Sequence, residues 1–243
     1  MIRVLQYIGS MKMGGSQSMI MDLYRNIDRE IIQFDFVIHA DGITPLAIEA
    51  KKMGAIIYES PRYSGKTTRA YSKWWNDFFK QHPEYNIVHS HVRSTASMVL
   101  NIAKKHGCKT IAHSHSTSSG TGINAIVKNL FQYPIRFIAD YFIGCSQEAG
   151  EWLFGKKVCI SNKYFIVRNA IDSKKYIYDE IIANSVRKEL GYRKNEFVIG
   201  HVGRFSEPKN HMFLLDVFNE IHKKNKKYKL LLVGDGELRD EIE

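Results

Sequence analysis

A chain of 243 residues, 44% apolar and 25% charged with a formal net charge of +10, is an ordinary globular composition, long enough for one large core or two smaller ones. It contains no run of about 18 apolar residues, which argues against a transmembrane helix, and "MIRVLQYIG" enters a strand-like run without a leader's charged start or cleavage site. Cys108, Cys145 and Cys159 are odd in number and far apart, which disfavours a disulfide framework and points to a reducing cytoplasm.

From the N-terminus, apolar segments of strand length alternate with helical patterns. "RVLQYIG" (3–9) reads as a strand, and "SQSMIMDLYRNI" (16–27) as a helix with Met19, Leu23 and Ile27 on one side. "FDFVIHA" (34–40) is a strand, "PLAIEAKKMG" a helix and "AIIYES" a strand. The helical "YSKWWNDFFKQH" leads to the strand "NIVHSH" (86–91), and "STASMVLNIAKKHG" to "KTIAHSH" (109–115). The segment "AIVKNLFQYPIRFIADYF" (125–142) reads as helical and broken at Pro134. "YFIGCS" (141–146), the helical "QEAGEWLFG" and "YFIVRNAI" (164–171) close the series. Short continuous apolar strands alternating with helices predict a parallel sheet covered on both faces.

A second series follows: "SVRKELGY", the strand "EFVIGHVGR" (196–204), a helix after Lys209, the strand "YKLLLVGDG" (228–236) and "ELRDEIE". Two strands and one crossover make an incomplete doubly wound unit. The reading is an α/β protein in which residues 1–170 form a Rossmann-like domain and residues 171–243 a linker with the front of a second one. Residues 1–170 hold 21 Lys/Arg against 12 Asp/Glu, a net +9, whereas residues 171–243 hold 14 against 13, a net +1. A basic first part suits nucleic acid, an anionic membrane or phosphorylated substrates, and surplus lysine also simply aids solubility.

Four features carry chemistry. Gly14 and Gly15 lie between the first strand and its helix, where backbone can approach a ligand and free N–H groups favour phosphate. They do not complete the G-x-G-x-x-G dinucleotide pattern, so a plain flexible turn stays open. His89 with His91, and His113 with His115, end neighbouring strands, and alternation puts each pair on one strand face so that four imidazoles converge. No carboxylate or thiol stands close by in sequence, so a metal is disfavoured and a substrate contact by one histidine at the sheet's carboxyl edge is preferred. "SGKTT" (64–68) lacks the earlier glycine of a nucleotide loop, with Ser60 in its place, and is rejected. Finally, Arg204 and Lys209 flank a loop between a strand and a helix, and Gly234 and Gly236 open a second such turn downstream. Two cations and two glycine turns at adjacent strand ends suit a nucleotide diphosphate.

With these residues in view, "VGRFSEPKNHMFLLDVF" followed by "LLLVGDGELRDEI" resembles the donor-domain signature of retaining glycosyltransferase family 4, which has the GT-B fold. "GGSQ", "TIAHSHST", "FIGCSQEAG" and "FIVRNAID" occur in that family's order, with the flavour of exopolysaccharide or capsule enzymes. Two departures stand out: Asn169-Ala170 replaces Asn-Gly, and the chain ends before the family's acidic motif of two glutamates.

The resemblance implies two Rossmann-like domains and transfer of a sugar, with retention, from a nucleotide-sugar donor of UDP type to a saccharide or lipid-linked acceptor. Arg204 and Lys209, with Gly14 and Gly15, would bind the donor diphosphate, and Gly203, Gly234 and Gly236 would shape the nucleotide pocket. His115, with His113 as second choice, would stand near the transferred sugar. The resemblance implies no metal and no cofactor beyond the co-substrate. It implies a cytoplasmic protein, peripheral on the inner membrane face, without nucleic acid as partner. An incomplete second domain would leave this chain alone inactive and prone to self-association. The alternatives are a GT-B-fold nucleotide-sugar epimerase and a non-catalytic saccharide- or membrane-binding fragment. Donor sugar, acceptor and linkage are not legible.

Overall fold

The strand β1 (Ile2–Gly9) is buried along nearly its whole length, as expected for a central strand covered on both faces. The structure, a computed structural model, describes every residue except Ala40, Asp41, Ile43 and Thr121, and every side chain of the rest but that of Asn124. The expected strand end at Ala40 therefore lies outside the described residues. The chain divides into two units, Met1–Asp172 and Ser173–Glu243.

In the first unit β1 is joined by β2 (Ile32–His39), β3 (Ile57–Ser60), β4 (Ile87–Ser90), β5 (Lys109–Ser114), β6 (Tyr141–Gly144) and β7 (Tyr164–Ile166). They form one seven-stranded sheet in the order β3-β2-β1-β4-β5-β6-β7, and every pair is parallel. The expected α/β architecture is present. The direction of winding reverses between β1 and β4, so a crevice opens there outside the carboxyl ends of the strands. The edge strand β7 stops at Ile166, earlier than the apolar run through Ile171 suggests, because Ile166 and Val167 are already exposed and no further strand covers them.

The crossovers are α1 (Gly15–Asn26), α2 (Pro45–Lys52), α3 (Thr68–Gln81), α4 (Ala96–Lys105), α5 (Gly122–Gln132), α6 (Ile135–Ile138), α7 (Gln147–Phe154) and α8 (Lys156–Cys159). α3 buries Tyr71, Trp75, Phe78 and Phe79, the i, i+4, i+7, i+8 stripe of a core-facing helix. On that face they meet Leu5, Tyr7 and Val37 of the sheet. Val4, Ile8, Phe34 and Phe36 point the other way, toward Met19, Ile20 and Tyr24 of α1. The helical segment after Thr121 breaks at Pro134, as a ring without an amide donor requires.

Among the described residues, Asp35 is the one carboxylate buried in this sheet, and it is fully partnered. Asp35 of β2 takes the Arg3 guanidinium through two 2.6 Å hydrogen bonds, the Tyr85 hydroxyl at 2.8 Å and the Ile56 amide at 2.7 Å. A carboxylate with four donors tolerates removal from water, and here it ties β1, β2, the start of β3 and the approach to β4 together.

The second unit contains α9 (Glu180–Glu189), β8 (Phe197–Val202), α10 (His211–Lys224), β9 (Tyr228–Val233) and α11 (Arg239–Ile242). β8 and β9 pair in parallel as a two-stranded sheet, with α10 as crossover. Asp179 caps α9 by accepting from the Ile182 amide at 2.9 Å. Among the described residues, Phe205 is the one buried apolar side chain of this unit. Phe197, Val202 and Phe213 are 62%, 80% and 63% exposed, so the strand pair has little apolar cover.

Protection should follow burial. In hydrogen exchange on a dilute monomer, amides of residues 198–202 and 230–233 should exchange well ahead of those of residues 3–8. Equal protection of the two sets would contradict this account of the second unit.

Candidate functional site

The carboxyl ends of β1, β4 and β5 gather the polar residues of the first unit. Register places His89 beside Gln6 on one side and beside Ile111 on the other. Parallel partners share a face, so Gln6, His89, His91, His113 and His115 all point toward α1, while Ser90 and Ser114 point to the opposite face. The alternation His-Ser-His thus separates a histidine layer from a structural serine layer, in which Ser114 donates to the Ala149 carbonyl at 2.6 Å.

The four imidazoles form one stack. Ring centroids are 4.1 Å apart for His89–His91, 4.0 Å for His113–His115, 5.3 Å for His89–His113 and 5.1 Å for His91–His115. His113 is 2% exposed and His89 9%, whereas His91 and His115 are partly open. Burial is the main cause that drives all four toward the neutral form. It lowers His89 to about 3, His113 to about 2 and His115 to about 4, with Arg93 adding repulsion at His115. His91 falls well below its ordinary value for the same reason, reinforced by its three neighbours.

The tautomers follow from one acceptor. Gln6 Oε1 lies 2.9 Å from His91 Nε2, so that nitrogen carries the proton. His91 Nδ1 is then a bare acceptor and takes the proton of His115 Nε2 at 2.8 Å. His115 Nδ1 is left with a lone pair and no partner. The chain Gln6–His91–His115 therefore ends in a neutral imidazole whose free nitrogen can accept a hydrogen bond. Gln6 escapes a sequence reading centred on histidine, although a lone amide inside the apolar run "RVLQYIG" is the signal that could have found it.

Gly14 is the residue before α1, extended at φ −174°, and the first turn of α1 has neither a side-chain cap nor an acidic residue. Its leading amides are thus available, and the space over Gly15 is open to 4 Å. Gln17 steadies the approach by donating to the Ser10 carbonyl at 3.1 Å. Beside it, Ile8, Gly9, Ser10, His39, Arg62 and Tyr63 line a crevice of about 360 Å³ at the ends of β1, β2 and β3. Arg62, His39 and Tyr63 are not singled out by the sequence, since each stands alone in its segment.

In the second unit Arg204 and Lys209 lie on the loop from β8 to α10, both exposed. Arg204 Nη2 donates to Glu237 Oε2 at 2.9 Å across the neighbouring turn. That turn is pressed against the first: Gly203 N donates to the Val233 carbonyl at 3.0 Å, Phe205 N to Asp235 O at 2.9 Å and Leu238 N to Phe205 O at 3.1 Å. A β-carbon on Gly234 would collide with the Gly203 carbonyl oxygen, and one on Gly236 with the Phe205 backbone. Glycine is therefore required where the two turns meet. Asn210 enters α10 in the left-handed region at φ 49°, which asparagine tolerates better than most side chains.

Comparison with known proteins follows the same division. The profile of glycosyltransferase family 4 matches residues 13–175, and that of glycosyl transferases group 1 matches residues 183–243. The chain is 28% identical over 245 residues to EpsF of Bacillus subtilis (strain 168), an alignment covering 99% of this chain and 64% of EpsF. Among solved structures it is similar to HepE of Anabaena in complex with UDP, with a TM-score of 0.75 at 17% identity, covering 99% of this chain and 63% of HepE. A UDP-N-acetylglucosamine 2-epimerase from Rickettsia bellii shares the fold at a TM-score of 0.54 and 10% identity, covering 99% of this chain and 63% of the epimerase. The chain thus spans just under two thirds of the length of these relatives, and the shared fold is of GT-B type.

The tautomer chain is directly measurable. In chelator-treated protein, imidazole ¹⁵N shifts should show His91 protonated at Nε2 and bare at Nδ1. Gln6→Leu removes the acceptor and should mix the two His91 tautomers. An unchanged His91 pattern in that variant would dismiss Gln6 as the anchor.

Proposed function

The chain belongs to glycosyltransferase family 4, and from that premise we propose that the full protein transfers a sugar, with retention, from a UDP-linked donor to a saccharide or lipid-linked saccharide in cell-surface polysaccharide synthesis. The observation that carries the donor reading is the pair of glycine turns, Gly203 and Gly234–Gly236, with Arg204 and Lys209 on the loop they shape. HepE, which shares the fold, was crystallised with UDP and with UDP-glucose, and this supports a nucleotide diphosphate as the ligand.

In this reading the two cations hold the donor diphosphate and stabilise the negative charge that develops as the sugar leaves. Glu237, on Arg204 in the empty loop, yields its guanidinium to phosphate when donor arrives. In the first unit the amides at the start of α1, next to Gly14 and Gly15, suit a phosphate group. The acceptor lies in the crevice lined by Ser10, His39, Arg62 and Tyr63. His115, partly open at the strand end, stands near the transferred sugar, and buried His113 supports it from below. Attack on the departing group's own face is assisted by the leaving phosphate, so no side-chain nucleophile is needed. An epimerase would act on the nucleotide sugar alone, and incubation of the full protein with UDP-N-acetylglucosamine without acceptor separates the two readings.

The place of action follows from a further surface. Among the described residues no helix is long and apolar enough to cross a membrane. α5 and α6 nonetheless expose Ile123 (79%), Ile126 (61%), Leu130 (69%) and Phe137 (72%), with exposed Lys128 among them. In this proposal the face docks peripherally on an anionic cytoplasmic leaflet, which would bring a lipid-linked acceptor to the enzyme. Arg136 contributes less than its position in sequence suggests, because it donates to the Leu153 carbonyl at 3.0 Å and lies over the Tyr133 ring.

In the full-length protein, Arg204→Ala or Lys209→Ala should weaken UDP binding by roughly ten- to a hundred-fold while leaving uridine affinity nearly unchanged, from about 1.5–3 kcal/mol per charge-assisted bond. Calorimetric titration with both ligands reads this, and unaltered UDP affinity in both variants would remove the donor assignment. In vesicle flotation, wild-type protein should prefer anionic over neutral lipid, and Ile126→Glu with Leu130→Glu should abolish the preference. Equal flotation with both lipids counts against docking.

A further inference from the structure

The histidine stack contains more unmet bonding capacity than a sugar contact uses. His89 Nε2 and both ring nitrogens of His113 are buried without a hydrogen-bond partner. An unsatisfied buried polar group costs about 1–3 kcal/mol, so three of them in one cluster need an explanation. Beside them lies a cavity of about 70 Å³, lined by His89, His91 and His113 together with Met19, Ile20, Leu23 and Phe34. One ring nitrogen each from His89, His91 and His113 lies within 4.8 Å of the other two.

We propose that His89, His91 and His113 form a binding site for a divalent transition-metal ion, with zinc the best fit. The donor set decides the class of ion. Three imidazoles, with no carboxylate or thiolate in the group, suit zinc, copper or nickel and exclude a calcium- or magnesium-type site. Three protein ligands with a fourth position left open is an established zinc arrangement. The expectation against a metal rested on the lack of a carboxylate or thiol nearby in sequence. Imidazoles alone suffice as ligands, and the convergence expected from strand alternation supplies three of them.

The surroundings also fit. Metal-bound histidine usually donates its other N–H to a fixed acceptor, and His91 already does so, from Nε2 to Gln6 Oε1 at 2.9 Å. Its Nδ1 is thus the ligating atom, and on binding it exchanges the 2.8 Å bond from His115 for the ion. Ligand nitrogens about 2.0–2.1 Å from zinc stand about 3.3–3.5 Å apart, so nitrogens now within 4.8 Å of one another must approach by up to about 1.5 Å. The ion's charge is not offset by any ligand, which favours an anionic fourth ligand.

The test uses the whole chain, stripped with chelator and titrated with Co²⁺ as a visible probe. About one equivalent should bind, with the intense visible absorption of a four-coordinate nitrogen site, and Zn²⁺ should displace it. His89→Phe combined with His113→Phe should lose the band, whereas His82→Asn should keep it. If the double variant fails to fold, wild-type protein still decides: bound Co²⁺ should broaden the imidazole signals of His89, His91 and His113, and spare His82, His106 and His222. No saturable Co²⁺ or Zn²⁺ binding, a band that survives in a folded double variant, or broadening centred on the other histidines would each overturn the site.

Discussion

The candidate site of the first unit depends on the register between two parallel strands. β4 and β5 pair so that His89 stands beside Ile111, and a two-residue repeat then brings His91 level with His113. A shift by one residue would turn every histidine toward α4 and α7 and every serine toward α1. With the register as it is, the opposite face keeps its aromatic core, where Tyr71, Trp75, Phe78 and Phe79 of α3 pack on the sheet. The register between β1 and β4 aligns Gln6 with His89, and the glutamine orders the protons of His91 and His115.

Two kinds of polar burial coexist in this sheet, and their contrast separates scaffold from site. Asp35 is completely buried and completely satisfied, with four donors on its two oxygens. Such a group costs little and holds β1, β2 and Tyr85 in place. The histidine layer is largely buried and only partly satisfied, beside a small cavity. A fold tolerates that cost where a ligand offsets it. The serines of the same two motifs are bonded to main-chain carbonyls, Ser90 to that of Val92 and Ser114 to that of Ala149, and belong with the scaffold.

In the second unit the organising contact is backbone against backbone. The turns after β8 and β9 interlock through three hydrogen bonds, and side chains at positions 234 and 236 would keep them apart. Arg204 and Lys209 project from a loop that is stiff for this reason, although the strands beneath carry little apolar cover. The rigidity is local, made by the loops themselves, and does not draw on a core.

The amino-acid sequence alone determined the alternation of strands and helices, the break at Pro134, the glycine turns around Arg204 and the placing of each histidine pair on one strand face. These are local properties: they follow from period-two and period-3.6 patterns and from the backbone limits of glycine and proline. Only the tertiary structure decided that His113 is covered while His115 stays partly open, that Gln6 orders the protons of His91 and His115, and that Glu237 lies on Arg204. Each of these joins residues far apart in the chain through a parallel register or a loop-to-loop contact. A parallel pair has no tight turn to announce its register; the packing of the crossover helices sets it, and that packing is a sum over the whole core.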